Sequence, residues 1–556
     1  MAEFSGTPRT REAGVVVWAA MDTSPVHGGS RRAGGVAALA FALAAMACAL
    51  STGSAVAAVD DDEEAGPDAP AAWAAPATID RFLQERRSDL LLAGLAVVVI
   101  ADGEVRFSGA YGDGGSNAPE IMLDTPFVLG STSKQFTGLV VQRLIVDGLL
   151  GLDDTLAVLA PDLLAEDAGP FGAVTISQLL SHRSGLGEAA GLEQWGIGAD
   201  PGSIQLEAAR VLATDPVSAP GEAYRYSNAN YTVLGAVIEK VTRTSYERAL
   251  QHLVLRPLGM TVTTSDVIDA RGHGLAAGHY TWFGVANIVT STTQSAAGAP
   301  SSSIMSSAND LTRLLQAHLG TSDVGDLEVA LAAAREPIDV IDTDAAYASG
   351  WVVRPFTELA DAGATTDAAS LPRLWEHHGD SARSVSYLAF APDLGLGVVL
   401  LSNTGDGIDQ SRLPALTSDL LHTIAGTPPP ERTADPLIAA APVLMIAIPA
   451  IQLLAIGWLL VTLMLRARAG IARWAPVGFG AVVVLVTIVL AFIVVPAQTG
   501  AAPFDSRWWA SVPDLVVAVA AMLILSLVMI ALMIAVVRRT PQPARMPAID
   551  AHPLRG

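Results

Sequence analysis

Three long apolar segments near the C-terminus constrain the fold of this chain more than any other feature of its sequence. They span residues 437–465, 475–495 and 515–537, and each has the roughly 20 residues that a helix needs to cross the hydrocarbon core of a bilayer. None of them contains Asp, Glu, Lys, Arg or His, so an ion or proton pathway within them has no obvious carrier. The sequence therefore predicts three transmembrane helices rather than buried helices of a soluble protein.

The basic residues around these segments predict their orientation. The first and second segments are separated by Arg466, Arg468 and Arg473, and the third is followed by Arg538, Arg539 and Arg545. Because arginine-rich loops stay in the cytoplasm, the first loop and the tail 538–556 are predicted to be cytoplasmic. We therefore expect a multi-pass protein of a bacterial cell membrane, in contact with the lipid bilayer, whose chain before residue 437 is extracytoplasmic.

The N-terminus has the pattern of an export signal, which predicts the same orientation independently. Arg31 and Arg32 precede the uncharged stretch 33–50, and the small residues 55–57 suit a signal peptidase that cuts before Ala58. An uncleaved signal anchor and lipidation of Cys48 are the alternatives. The predicted division of the chain is an N-terminal extension with a signal peptide (1–57), an acidic and Ala/Pro-rich linker (58–77), the main domain (78–426), a second linker (427–436), the three membrane helices (437–537) and a cytoplasmic tail (538–556).

Charge and residue usage exclude several classes of function. Residues 58–435 contain 49 acidic and 21 basic residues, whereas nucleic-acid phosphates are bound by clustered Lys and Arg, so no nucleic-acid partner is expected. The single cysteine allows neither an intrachain disulfide nor a thiolate metal cluster, and we expect no metal and no cofactor. Of the 33 basic residues, only Lys134 and Lys240 are lysines, which indicates that arginine is not an equivalent choice at those positions.

Residues 78–426 carry strand patterns at both ends and helix patterns between them. The apolar run 95–100, the turn pair Asp102-Gly103 and the alternation over 105–109 predict a first hairpin. The runs 385–390 and 396–401, separated by a turn at 392–395, predict a closing hairpin. Apolar residues at helical spacing between 136 and 144, followed by Gly148, predict a helix. We expect a sheet built from both ends of the domain, with helices inserted between them.

The first of three candidate catalytic segments is Gly130-Ser131-Thr132-Ser133-Lys134. If Ser131 begins the helix, Lys134 lies at i+3 on the same face, within reach of the serine hydroxyl. The backbone N–H of such a serine also lies beside the oxyanion that forms when it attacks a carbonyl. A buried lysine can lose its proton and act as a base, which arginine cannot do. By itself the pattern is also compatible with an exposed helix-capping serine.

The other two segments are Tyr226-Ser227-Asn228 and His377-His378-Gly379-Asp380. A phenol beside a lysine can shuttle a proton, and an asparagine amide can bind a substrate amide. The alternative is a core tyrosine followed by a turn. Neighbouring side chains on a strand point to opposite faces, so the two histidines cannot bind one metal, and we expect only one of them to face a cleft.

In this order, S-x-x-K, Y-x-N and H-x-G resemble the penicillin-recognising serine hydrolases. The resemblance covers residues 78–426 and is to the branch of class C β-lactamases, D-Ala-D-Ala carboxypeptidases, D-amino acid amidases and esterases. It implies an α+β fold, with an antiparallel sheet flanked by helices and a helical subdomain, and an active site between the sheet and that subdomain. Two segments depart from the family pattern: 381–384 lacks the Pro-Gly-Phe turn, and 300–303 replaces a Gly-Gly pair.

The resemblance also implies a role for each motif residue. Ser131 is the acylated nucleophile, Lys134 activates it, Tyr226 shuttles the proton and Asn228 orients the substrate. His377 takes the place of the lysine in the K-T-G form of the third motif, Gly379 leaves room for the substrate, and the N–H of Asp380 completes the oxyanion hole. His182, in the family-like segment 180–186, is interpreted as structural.

The expected function is that of a membrane-anchored, extracytoplasmic serine hydrolase that acts on amides or esters through an acyl-enzyme. The expected substrates are peptidoglycan-derived peptides or D-amino acid derivatives, with β-lactams as substrates or inhibitors. Two alternatives remain at this point: a sensor that is acylated at Ser131 without turnover, and a binding domain that has lost catalysis.

Overall fold

The computed structural model of the chain describes residues 73–115, 118, 120–164, 169–188, 190, 203–284, 286–290, 295–360, 370–381, 383–405, 412–432, 436–465, 474–495 and 512–538. The predicted export signal, Cys48 and most of the arginines that predict the membrane orientation lie outside these residues, so the orientation stays a prediction. The described residues divide into two compact units. One lies within 73–280 and 287–432, and the other consists of residues 281–284 and 286 and the helices from residue 436 onwards.

An eight-stranded antiparallel sheet forms the centre of the first unit, with the strand order β2-β1-β12-β11-β10-β9-β8-β7. Its strands are β1 (Gly94–Ala101), β2 (Glu104–Gly112), β7 (Asp339–Val340), β8 (Ala346–Tyr347), β9 (Val352–Pro355), β10 (Arg373–Asp380), β11 (Val385–Ala391) and β12 (Leu396–Ser402). Two small sheets contain β3 (Phe127–Val128) with β6 (Met305–Ser306), and β13 (Thr404–Gly405) with β4 (Gly278–Trp282) and β5 (Ala286–Thr290).

Both predicted hairpins are present, and the first strand pairs with the last. Strands β1 and β2 are adjacent, as are β11 and β12, and β1 lies against β12 with Leu95 opposite Ser402. The prediction of a sheet built from both ends of the domain is therefore confirmed. Joining the ends in this way places the intervening helices over the face of the sheet.

Strand β1 is buried along its whole length because both faces of the sheet are covered. Its even-numbered residues, for example Val98, pack into the larger core beneath the helical part of the domain. Its odd-numbered residues, for example Val97, pack into a second core against the terminal helices. This two-sided burial explains why the strand is an unbroken apolar run instead of an alternating one.

The helices of the first unit follow the order of the chain. They are α1 (Pro76–Asp89), α2 (Ser133–Val146), α3 (Leu156–Leu159), α4 (Ile176–Leu180), α5 (Ile204–Leu212), α6 (Asn228–Thr242), α7 (Tyr246–Leu250), α8 (Val267–Gly272), α9 (Ala308–His318), α10 (Glu328–Arg335) and α11 (Arg412–Ala425). Residues of α1 and α11 belong to the second core, whereas α2 and α6 belong to the larger one. Helix α1 begins inside the linker predicted for 58–77.

The helix predicted around residues 136–144 is α2. Ser131 lies in a 3-10 turn, Gly130–Thr132, and the regular α-helix begins only at Ser133. The turn starts at Gly130, whose φ of 59° is accessible mainly to glycine. The helix ends at Val146, and Gly148 follows with a φ of 71°, as the predicted stop requires.

The second unit contains the three apolar helices that the sequence predicts. They are α12 (Pro436–Met464), α13 (Trp474–Val489, continued by a π-helical turn, Leu490–Val494) and α14 (Pro513–Arg538). Their apolar spans of 27, 21 and 26 residues are long enough to cross a bilayer. Near the middle of all three, Gln452 donates to Thr487, Ser526 and the carbonyl of Met522. The support for membrane insertion comes from the length and composition of these three helices.

Candidate active site

The first and third motifs meet where the turn at Gly130 lies against the end of strand β10. A Cβ atom on Gly130 would lie 2.6 Å from the backbone nitrogen of Asp380, and one on Gly379 would lie 1.9 Å from the carbonyl oxygen of Leu129. No side chain fits at either position, so the two glycines let the backbones of the motifs touch. This contact is a reason for glycine at 379 in addition to the predicted room for a substrate.

Lys134 is completely buried and points its amine at the hydroxyl of Ser131. Its Nζ atom lies 3.2 Å from Ser131 Oγ, 2.6 Å from Asn228 Oδ1 and 2.9 Å from the carbonyl oxygen of Ser301. These three partners are neutral, and burial lowers the pKa of Lys134 well below its usual value. Since a neutral amine has a free lone pair, this lysine is suited to accept a proton from Ser131.

Tyr226 also lies near the hydroxyl of Ser131. Burial raises the pKa of Tyr226 above its usual value, and a hydrogen bond with Ser131 partly opposes this effect. The Nζ atom of Lys134 lies 4.8 Å from the centre of the tyrosine ring. Burial therefore favours the neutral amine and the neutral phenol, and a neutral phenol is a proton donor until a base has taken its proton.

Asn228 joins the second motif to the first. It is the first residue of α6, and its side-chain oxygen accepts the shortest hydrogen bond that Lys134 makes. Because the oxygen is occupied by the lysine, the amide NH₂ group of Asn228 is the part left to meet a substrate carbonyl.

The two histidines of the third motif point to opposite faces of the sheet, as predicted. His378 Nε2 lies 2.9 Å from Thr417 Oγ1 on α11, in the second core. His377 faces the helical side, where its Nδ1 donates to the carbonyl of His378 and its Nε2 accepts from the hydroxyl of Tyr347 at 3.2 Å. Burial, with the nearby Lys134, lowers the pKa of His377 to about 3. A neutral ring therefore stands where the resemblance places a lysine.

The structure brings together all seven predicted site residues and adds others that the sequence analysis did not select. The carbonyl of Ser301 contacts Lys134, and the hydroxyl of Tyr347 contacts His377. In the sequence, the segment 300–303 is marked only by its departure from the family pattern, and nothing marks Tyr347. His182, interpreted as structural, lies with its ring 4.4 Å from that of Tyr226.

The site is built without a metal cluster in the part of the chain that the structure describes. Within those residues, no group of three or more His, Cys, Asp or Glu side chains is placed to hold a metal ion. The arrangement is chemically suited to nucleophilic attack by Ser131, assisted by the amine of Lys134 and the phenol of Tyr226.

The region that contains the candidate site is similar to known proteins. A family model described as Beta-lactamase matches residues 79–420, which is more than half of the chain. Penicillin-binding protein 4 of Amycolatopsis lactamdurans is 28% identical over 362 residues, covering 63% of this chain and 90% of that protein. Protein flp of Staphylococcus aureus (strain COL) is 24% identical over 344 residues, 62% of this chain, and the match spans only 65% of its own length.

The fold is also found among solved structures. The D-alanine carboxypeptidase AmpC from Burkholderia cenocepacia superposes with a TM-score of 0.51 and 24% sequence identity, covering 63% of this chain and 98% of that one. At this identity the likeness concerns the fold. It agrees with the antiparallel sheet and flanking helices described above.

Proposed function

Because this chain belongs to the β-lactamase family, we propose that it is a membrane-anchored, extracytoplasmic serine hydrolase that cleaves an amide or ester through an acyl-enzyme. The observation that carries this proposal is the position of Lys134, whose buried amine lies 3.2 Å from the hydroxyl of Ser131 and is bound only to neutral groups in the described part of the chain. A lysine held in this way is a base, and the partly exposed Ser131 is its acid partner.

Acylation follows from these contacts. Lys134 takes the proton of Ser131 as Oγ forms a bond to the substrate carbonyl carbon. The oxyanion that results is stabilised by the backbone N–H groups of Ser131 and Asp380. Tyr226 then gives its proton to the leaving nitrogen or oxygen, the bond to that atom breaks, and the phenol regains a proton from Lys134. Water releases the acyl group by the same transfers in reverse.

The proposed substrates are peptidoglycan-derived peptides or D-amino acid derivatives, and β-lactams are proposed as substrates or inhibitors. This choice is supported by the names of two similar proteins, a penicillin-binding protein and a D-alanine carboxypeptidase. Three apolar helices after the domain support membrane anchoring. A sensor without turnover uses the same acylation step and differs only in that the adduct persists.

Intact mass spectrometry of the full-length protein in detergent tests the proposal. After exposure to a fluorescent penicillin or a p-nitrophenyl ester, the wild-type protein should gain one acyl group, and Ser131→Ala should gain none. Ser133→Ala is the matched control, because its hydroxyl lies in the same segment but accepts the N–H of Ile304. It should still be labelled.

Labelling of Ser131→Ala would place the nucleophile elsewhere, and a wild-type protein that neither takes up a probe nor releases product would contradict the proposed activity. Steady release of product supports a hydrolase. A stable adduct without release would instead identify the sensor.

A further inference from the structure

A completely buried histidine supports the second motif from below. His182 has no exposed surface, and its ring lies 4.4 Å from that of Tyr226, tilted by 36°. The rings of Tyr231 and Tyr347 lie 5.4 and 4.8 Å from it. The face of Tyr226 that meets His182 is therefore fixed by an aromatic layer inside the domain.

Hydrogen bonds connect the same imidazole to the backbone of the motif. His182 Nδ1 lies 3.2 Å from the backbone nitrogen of Ser227 and 3.1 Å from the side-chain nitrogen of Asn230. Both groups are donors, so Nδ1 is the acceptor and the ring carries its proton on Nε2. His182 thus connects Ser227, which lies between Tyr226 and Asn228, to Asn230 in the first turn of α6.

The backbone of His182 is also hydrogen-bonded to the chain next to the second motif. Its carbonyl accepts the N–H of Arg225, at 2.8 Å, one residue before Tyr226. His182 itself has a φ of 59°, in the left-handed region where histidine and asparagine occur more often than most residues. A side chain at this position therefore has little freedom to move relative to the phenol.

The ring stays neutral in these surroundings. Burial lowers the pKa of His182 well below its usual value, and the nearby Lys134 and His377 act in the same direction. A neutral Nδ1 keeps its lone pair for Ser227 and Asn230, so the contacts to the motif do not depend on the pH at which the enzyme works.

We infer that His182 is a positioning residue for proton transfer: its ring and its Nδ1 acceptor set the place of the Tyr226 hydroxyl relative to the leaving group. The inference rests on the proposed acyl-enzyme mechanism. It differs from a purely structural role because it predicts which substrates suffer when His182 is changed.

The chemistry of the leaving group distinguishes a positioning role of His182 from a purely structural one. The amine released from an amide must receive a proton as the bond breaks, whereas p-nitrophenolate leaves without one. A displaced Tyr226 should therefore slow acylation by an amide much more than acylation by an activated ester. A loss of folded protein would slow both by the same factor.

The experiment compares kcat/KM, which reports acylation, for the p-nitroanilide and the p-nitrophenyl ester of N-acetyl-D-alanine. His182→Phe keeps an aromatic ring but removes the acceptor. His182→Asn keeps an acceptor and tolerates the left-handed backbone but removes the ring. His318→Phe is the matched control, because His318 is also buried but packs against Trp351 and Phe390.

For His182→Phe we expect kcat/KM for the anilide to fall by about 10- to 100-fold, since an ångström of misplacement costs up to about that much, and kcat/KM for the ester to fall by less than about threefold. His182→Asn should also lose more kcat/KM for the anilide than for the ester, but by a smaller factor. If the phenylalanine variant does not fold, the result for His182→Asn tests the inference. His318→Phe should change both substrates equally.

Equal losses for the anilide and the ester in the folded His182 variants, or no loss at all, would overturn the inference and leave the acyl-enzyme mechanism intact. Failure of the proposed function is a different result: the wild-type protein would then not be acylated by the ester.

Discussion

Replacing Lys134 by arginine should remove most of the acylation activity, because a guanidinium cannot give up its proton. Asn228, Ser301 and Tyr226 surround the amine, which has no exposed surface. The planar arginine head is larger than an ammonium group, and its pKa stays above about 12. General-base assistance contributes about 10² to 10⁴ in rate, so kcat/KM for a p-nitrophenyl ester should fall at least about 100-fold.

The same substitution should change how stability depends on pH. Burial lowers the pKa of Lys134 in the folded protein, whereas the unfolded chain has an ordinary lysine pKa of about 10.4. Between these two values the unfolded state binds more protons than the folded state, so the stability of the wild-type protein rises with pH. Arginine stays protonated in both states and makes no such contribution. As the pH rises through that window, the wild-type protein should therefore gain unfolding free energy relative to Lys134→Arg, by up to about 1.4 kcal/mol per pH unit.

Lys240→Arg is the matched control, since Lys240 is the only other lysine. Its side chain is about one-third exposed and pairs with Asp162, and an exposed ion pair of this kind contributes little. The acylation rate of the Lys240→Arg variant should therefore differ from that of the wild-type protein by less than about twofold. The assay is kcat/KM of both variants from pH 6 to 10, with thermal unfolding over the same range. Acylation by Lys134→Arg at nearly the wild-type rate would refute the role of Lys134 as a base.

Three further predictions concern other parts of the molecule. A reporter that is active only outside the cytoplasm should be active when fused after Gly426 and silent after Pro553, and the reverse pattern would contradict the predicted orientation. Glu376→Gln should destabilise the first unit by at most about 3 kcal/mol, because Arg354 would lose its largely buried ion pair with Glu376 but keep the one with Glu358. Burial raises the pKa of Glu376, but Arg354 outweighs this and lowers it to about 2, so the stability contributed by Glu376 should be lost as the pH falls from about 4.3 to 2. A variant whose unfolding follows the wild-type pH profile would exclude that linkage. Gln452→Leu should weaken the bundle of the three apolar helices by about 1 kcal/mol, measured by thermal unfolding in detergent, and an unchanged midpoint would show that the buried amide contributes nothing.

Several parts of the fold could be predicted because their signals are local. The three apolar helices follow from runs of more than 20 residues, and the two hairpins follow from apolar strands around short turns. The pairing of β1 with β12 was expected only as a sheet made from both ends of the domain, and its register is visible only in the structure. The 3-10 turn that holds Ser131 lies against Asp380, on a strand about 250 residues further along the chain, and no local pattern predicts that contact.

By itself, the sequence predicted which groups react. Ser131 and Lys134 are three residues apart, so one helical turn is enough to bring them together. Lysine is rare in this sequence, which indicates that its use at position 134 is specific. Only the tertiary structure decided what surrounds them. The ring of His182 lies against that of Tyr226, and the hydroxyl of Tyr347 contacts His377. These contacts join segments 30 to 44 residues apart, and no local pattern encodes them, because they depend on how the helices pack against the sheet and exclude water from the amine of Lys134.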